Sequence, residues 1–494
     1  ALFGVWVLKG EACLSACALA MAMAVEHGVR GAERTRRYVE EGATLGFHAG
    51  DVRADLRQAQ TTLGDAMDLT YDIVERLSEV IQAGAAFVTG VVLARVLGPE
   101  ALGLYAAVLA WVMLLVSISQ AGLTPLLVRE VAAERQAGRP GRIHGLLRLA
   151  IGLGTCAAAL AWLVLLTRLW AQGLPPCSEA LVIIGLGIVF FNALAFVMEA
   201  ALRGLGKTLM GQAPQLLVRP IVHATLVFGL ALMVTEKLSP GAAMALLAVA
   251  VLAECSCAAW ARWHHARPAR QAPVETDLPK WMTALVPLTL VGVLGAFSAQ
   301  IGFITLGLWS TTSEVAAFRV AAQLTTLAMF GYAAVVAQNS PRFSALHTAG
   351  DPNAYARAAA SAARMSFGLS LPAALILAVF GQDILTLVFG SAYAPAYPTL
   401  LALCAQVIAL AGLGVAIPVL VAARQDGWLV AVQCAGQALH LGLLAYWIPS
   451  HGAAGAAWAL AIATVAIHGS LVALARVKLG FWVLPLWPDR SKPA

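Results

Sequence analysis

A chain of 494 residues that is 60% hydrophobic and only 12% charged is not a soluble globular protein, in which about a quarter of residues carry charge. Its net charge of +6 would suggest nucleic acid in a soluble chain, but the cations here sit in short segments between apolar runs, as membrane topology requires. The eight cysteines are scattered, with no pair at zinc-ligand spacing near histidines, so they read as small apolar residues and no metal or cofactor is expected.

The chain begins at Ala1, and the stretch from Leu2 to Val25 is apolar but broken by Lys9 and Glu11. It reads as a signal-like segment, an extra helix, or sequence ahead of the native start. Residues 26–76 are polar, yet Val52, Leu56, Leu63, Met67, Val74, Leu77 and Ile81 recur at helical spacing. Residues 1–77 are therefore expected to be an extension with an amphipathic surface helix. The alternative is a start-site artefact, with translation beginning as late as Met67.

From residue 78 the pattern is regular. Apolar runs lie near 78–97, 102–122, 146–170, 178–200, 212–234 and 240–261, then near 282–308, 316–340, 361–382, 395–420, 428–448 and 453–475. These are about 12 spans of the length that crosses a bilayer core. The runs are continuous and do not alternate, which excludes a membrane β-barrel. The expected fold is all-α and membrane-integral. A first six-helix bundle would occupy residues 78–261 and a second 282–475. A basic linker at 262–281 would join them, with a tail at 476–494.

Loop charge alternates in phase with this count. One side carries Arg129, Arg135, Arg139, Arg142, Arg203, Lys207, Arg262, Arg267, Arg270, Lys280, Arg342, Arg357, Arg424, Arg476, Lys478, Arg490 and Lys492, and the other little beyond Arg168 and Lys237. Lys and Arg stay on the cytoplasmic side, so both ends of the core are expected there. The halves also repeat weakly. Gly98-Pro99-Glu100-Ala101-Leu102-Gly103-Leu104-Tyr105 follows the first span as Thr311-Thr312-Ser313-Glu314-Val315-Ala316-Ala317-Phe318 follows the seventh. Such repeats build transporters with a site between the halves.

Charge inside a span needs a reason, because an arginine at mid-helix costs about 2.5–3.5 kcal/mol on insertion scales. Arg95, Arg219 and Arg319 stand in the first, fifth and eighth spans. A guanidinium binds phosphate oxygens bidentately and stays charged, so these three are the candidate cationic lining of a cavity. Snorkelling to the interface is the simpler alternative for each. Glu254, Gln300 and Gln323 are candidate polar or ion-coupling groups, with Glu199, His223, Gln406, Gln433, Gln437 and His440 as further polar residues in the spans. Ordinary helix–helix hydrogen bonding, worth about 0.6 kcal/mol each, competes with that reading. Pro220, Pro287, Pro372 and Pro418 are expected to kink their spans.

Four motifs, in order, carry a resemblance. They are Leu93 to Tyr105 with Gln120-Ala121-Gly122-Leu123 and Val128-Arg129-Glu130; Ala317-Phe318-Arg319-Val320; Pro341-Arg342-Phe343-Ser344 with Phe389-Gly390-x-x-Tyr393; and Trp447-Ile448-Pro449-Ser450-His451-Gly452-Ala453-Ala454-Gly455. The chain from about 78 to 475 resembles the polysaccharide-transport flippases of the multidrug/oligosaccharidyl-lipid/polysaccharide exporter superfamily. The resemblance implies two six-helix bundles around a central cavity that opens alternately to each side. It implies a substrate such as an undecaprenyl-diphosphate-linked oligosaccharide, moved across a bacterial inner membrane for surface polysaccharide synthesis. The partners implied are that lipid-linked oligosaccharide and membrane lipids, with a polysaccharide polymerase and export machinery beyond them, and no nucleic acid.

A cation-coupled multidrug exporter of the same superfamily is the alternative. Such exporters usually hold a buried carboxylate in the first bundle. The first five spans here have no mid-helix Asp, and Glu199 falls near a span end. A membrane enzyme fits less well, since the external loops are short and no HExxH, GxSxG or Gly-rich phosphate loop occurs.

Overall fold

Every regular element among the described residues is helical. The structure, a computed structural model, describes residues 51–120, 122–172, 176–233, 238–266 and 271–485, with only the backbone course given for residues 51–73, 75, 161–162, 164–172, 176–179, 287 and 290–291. The Leu2–Val25 segment lies outside them, and so do residues 26–50 of the polar stretch.

The helices in chain order are α1 (Asp51–Gln120), α2 (Leu123–Gln136), α3 (Pro140–Gln172), α4 (Pro176–Gly204), α5 (Thr208–Ala213), α6 (Arg219–Met233) and α7 (Pro240–His265). After the linker come α8 (Leu278–Trp309), α9 (Thr312–Ala349), α10 (Pro352–Val388), α11 (Tyr397–Leu413), α12 (Ala416–Ala422) and α13 (Asp426–Leu479). A π-helical turn, Pro214–Val218, leads into α6, and a 3-10 turn, Ser391–Ala396, leads into α11.

Among the described residues, ten helical stretches are long and apolar enough to cross a membrane. Two of them, of 61 and 54 residues, would be about 80–90 Å long if straight, against a bilayer core of about 30 Å. Each contains a joint between two helices. Gly98 (φ 76°, ψ 172°) divides α1, and Gly452 (φ 53°, ψ −132°) divides α13. Only glycine takes such left-handed angles cheaply. Each of the two stretches is long enough to cross twice, which is where the count of ten parts from the twelve spans expected.

Packing distinguishes the two ends of the helices. At the end bearing Gly98, Ser310, Gly390 and Gly452, one apolar cluster runs through both halves of the chain, from Leu93, Leu97 and Tyr105 to Phe318, Phe389, Tyr393 and Ile448. At the linker end there are two separate clusters. One gathers Leu126, Leu127, Val131, Leu146 and Ala200 with Trp281. The other gathers Phe343, Tyr355, Val419, Leu471 and Val483. Close van der Waals packing is what holds helices together in lipid; it runs through both halves at the far end, and at the linker end it forms two clusters, with α8 packed on the first half through Trp281, Ala284 and Leu285.

Polar contacts follow the same division. At the far end, Tyr393 Oη donates to the Ala94 carbonyl at 2.8 Å. Arg95 Nε donates to the Val388 carbonyl at 2.8 Å, and its Nη2 donates to the Leu387 carbonyl. Gly103 lies directly against the Thr312 carbonyl, leaving no room for a Cβ. Within the second half, Glu314 accepts a hydrogen bond from Ala453 N at 2.6 Å beside the Gly452 joint. Residues that looked like sequence motifs are thus the far-end seam.

At the linker end the chain departs from the expected loops. Residues 123–136 form α2, where a basic loop was expected, because Leu123, Leu126, Leu127 and Val131 bury one face. The linker is shorter than 262–281, since α7 runs to His265 and α8 starts at Leu278. It lies across the small residues Gly141 and Gly145 of α3, with Glu275 N donating to the Gly141 carbonyl at 3.1 Å. Lys280 Nζ is 2.6 Å from Glu130 Oε2, and Arg142 bridges Glu134 (3.5 Å) and Asp277 (3.3 Å). Lys280 donates to the Glu130 carboxylate, and that bond holds its ammonium above the ordinary lysine pKa. The described part of the tail is packed too: Val483 is buried, and Phe481 meets Tyr355 edge to face.

Candidate functional site

Three helices of the first half bring their polar residues to one place. Helix α4 carries Asn192, Glu199 and Arg203, spaced seven and four apart and so on one face. The π-helical turn ends at Val218, and Arg219 opens α6 with His223 one turn on. Turns of this kind shift the helix register and often mark functional positions. Helix α7 supplies Glu254.

Arg219 Nη1 and Glu254 Oε2 form an ion pair at 3.5 Å. The Glu254 side chain is wholly buried, while Arg219 keeps 22% of its side chain exposed. Glu199 is also fully buried and feels the charges of Glu254, Arg219 and Arg203. Neither carboxylate accepts a hydrogen bond, and Asn192, Arg203 Nε and His223 Nε2 are likewise buried without hydrogen-bond partners. A buried carboxylate is tolerated only when paired or neutral. One ion pair therefore satisfies one acid and leaves the other uncompensated.

The remaining candidates are held elsewhere. Arg95 is exposed and engaged in the far-end seam, with its guanidinium on the carbonyls of the last turn of α10. Arg319 is half-buried on α9, within electrostatic reach of Tyr105. Gln323 donates to the Phe87 carbonyl at 2.6 Å across the halves, against Gly90. Gln300 is half-buried on α8. The three arginines thus have three different sets of neighbours, and only Arg219 sits with a candidate acid. In the second half, Gln437 Oε1 and His440 Nε2 are buried without partners.

The sequence pointed to Glu254 and Arg219 as candidates, and the structure pairs them; the burial of Glu199 beside them had no local signal. Glu199, expected near a span end, is fully buried, as is Glu254 in the sixth span, so the first half does hold buried carboxylates. A separate cavity of about 230 Å³, lined by His144, Leu147, Arg148, Ile151, Arg262 and Ala266, opens at the linker end and includes none of these candidates. Among the described residues, no group of three or more His, Cys, Asp or Glu is placed to hold a metal ion.

The comparisons with known proteins follow this geometry. A family model described as polysaccharide biosynthesis protein matches residues 73–347. No curated protein matches the sequence. Among solved structures, the inward-facing form of a multidrug resistance MATE family transporter of the MOP superfamily superposes with a TM-score of 0.66 at 15% identity, over 81% of this chain and 94% of that one. The lipid II flippase MurJ in an inward closed form gives 0.63 at 11% identity, over 82% and 87%. A MOP superfamily transporter from Pyrococcus furiosus gives 0.58 at 14% identity, over 82% and 93%. The chain has the fold of these membrane transporters.

Proposed function

The chain belongs to the polysaccharide biosynthesis protein family, and from that premise we propose that it is a flippase that carries a lipid-linked oligosaccharide from the cytoplasmic to the outer leaflet of a bacterial inner membrane. The substrate class is an undecaprenyl-diphosphate-linked oligosaccharide, and the mechanism is alternating access between the two halves. The family match is the observation that carries this reading. The basic loops at the linker end support a cytoplasmic position for that end. One apolar cluster runs through both halves at the far end and two lie at the linker end, which supports alternating access with the linker end as the side where the halves part.

Arg219 is the residue we assign to the diphosphate. Its guanidinium remains partly exposed while its acid partner is sealed, so it can exchange the carboxylate for a phosphate. Arg319 is assigned to the same headgroup from the second half, and Gln300 to the sugar. Arg95 and Gln323, being engaged across the halves, serve the closing of the far end. No covalent step is required.

A second reading has a specific observation behind it. Glu199 and Glu254, each fully buried, are first-half carboxylates of the kind that cation-coupled drug exporters usually hold. The two readings separate in a deletion strain complemented with wild type, Arg219→Ala or Arg319→Ala. The flippase reading expects lipid-linked oligosaccharide to accumulate in the cytoplasmic leaflet, cleared by wild type and poorly by the variants. No accumulation, together with raised drug sensitivity, replaces it with the exporter.

A further inference from the structure

The cavity at the linker end belongs to none of the machinery above. It holds about 230 Å³, many times the roughly 10–15 Å³ that one water needs and less than the about 300–1,000 Å³ of a pocket for a drug-sized molecule. His144, Leu147, Arg148 and Ile151 line it from one face of α3. Arg262 and Ala266 line it from the end of α7. Nearly all of its wall is carbon, so the two arginines enter it with their aliphatic stems, and each stem ends in a guanidinium. No carboxylate is among the lining residues. The nearby acids are taken up elsewhere: Glu130 and Glu134 meet Lys280 and Arg142, and Glu275 and Asp277 of the linker also lie against Arg142. Arg148 is exposed and has no ion pair among the described residues.

Tryptophan marks the depth of this cavity. Trp260 and Trp263 flank Arg262 on α7, and each is more than half exposed. Tryptophan collects where headgroups meet hydrocarbon, and a rise of 1.5 Å per residue keeps Arg262 within about 3 Å of that level along the helix. A soluble anion gains nothing from a carbon wall, and a bare hydrocarbon chain gains nothing from two guanidiniums. A phospholipid uses both.

We propose that this cavity binds one phospholipid of net negative charge, with its phosphate on Arg148 and Arg262 and the start of an acyl chain against Leu147, Ile151 and Ala266. A guanidinium fork binds phosphate oxygens bidentately, and basic pockets between membrane helices take anionic headgroups. A phosphatidylcholine carries its own ammonium beside the phosphate, which two arginines repel, so the site discriminates by headgroup charge. The lipid also bears on the linker. Helix α7 runs directly into it, and where it returns over α3, His144 Nδ1 donates to the Ala272 carbonyl at 2.9 Å. A lipid held by Arg148 and Arg262 ties α7 to α3 beside that crossing. The site rests only on the chain spanning a membrane, and not on what the protein carries.

Native mass spectrometry of the delipidated full chain in detergent, titrated with phosphatidylglycerol or phosphatidylcholine, tests this. Wild type is expected to bind a first phosphatidylglycerol more tightly than a first phosphatidylcholine. Each arginine near a membrane surface is worth about fivefold toward an anionic lipid. Arg148→Gln should therefore weaken phosphatidylglycerol by about fivefold, and Arg148→Gln/Arg262→Gln by about 25-fold. Arg357→Gln/Arg364→Gln, which removes two exposed arginines of α10 outside the cavity, should bind it as wild type does. Arg148→Gln alters a single exposed residue, so it decides the matter even where the double variant does not fold. Equal affinity of wild type for the two lipids overturns the site, and so does an equal loss in the α10 pair. Displacement of the lipid by an equal concentration of inorganic phosphate also overturns it, since the cavity would then hold a free anion.

Discussion

Replacing Tyr393 by Phe removes one hydroxyl from the far-end seam and nothing else. Tyr393 and Ala94 are 3% and 0% exposed, so the Ala94 carbonyl that loses its 2.8 Å donor has no water to turn to. Ala94 lies in the last turn before the Gly98 joint, where helix carbonyls run short of backbone donors. An unsatisfied buried acceptor costs about 1–3 kcal/mol. The penalty is relieved when the far end opens and water enters, so the open form should gain by roughly 5- to 150-fold, at tenfold per 1.4 kcal/mol. Arg95→Ala should do less, because that guanidinium is exposed and its bonds are screened. Double electron–electron resonance between labels at Glu100 and Ala392, both exposed, in a background without native cysteines, reads the populations. The expected result is a longer-distance population that grows in Tyr393→Phe and stays absent in Tyr446→Phe, a control at a 75% exposed tyrosine. Identical distance distributions for parent and Tyr393→Phe would refute the seam as a latch.

Gly103→Ala should act in the same direction. Its new Cβ would collide with the Thr312 backbone, and overpacking costs about 1–3 kcal/mol, so the same labels should move apart. Trp281→Ala should lower stability by about 3–5 kcal/mol, read as a lower denaturation midpoint in detergent, since Trp281 is fully buried where α8 meets the first half. The Lys280–Glu130 contact should be insensitive to pH across the neutral range. Lys280 is raised above the ordinary lysine value, so its contribution is complete below about pH 10.4 and is lost only as pH climbs through the folded value. Protease protection of the linker between pH 6 and 9 in roughly unit steps checks this, and a loss of protection within that window would contradict it.

The spans were legible because lipid imposes a length and a composition on each helix. The Gly98-Pro99 and Gly452 motifs were legible as punctuation, yet nothing local told that they border a seam between halves. The ion pair of Arg219 with Glu254 depends on how α6 and α7 pack, and helix register against a neighbour leaves no trace in either segment. Helix α2 was missed for a different reason. Its stripe of Leu123, Leu126, Leu127 and Val131 was present, but Arg129 and Arg135 on the other face made the segment read as a cytoplasmic loop. The packing of Phe481 and Val483 was hidden by a short sequence with no periodicity.

The central claim is translocation of a lipid-linked sugar, and proteoliposomes test it most directly. The full chain would be reconstituted with a fluorescent short-chain polyprenyl-diphosphate oligosaccharide, and the fraction open to an impermeant quencher followed in time. The account predicts that wild type equilibrates the lipid between leaflets faster than empty vesicles do, and that Arg219→Ala does not. Equal rates for wild type and empty vesicles would contradict it.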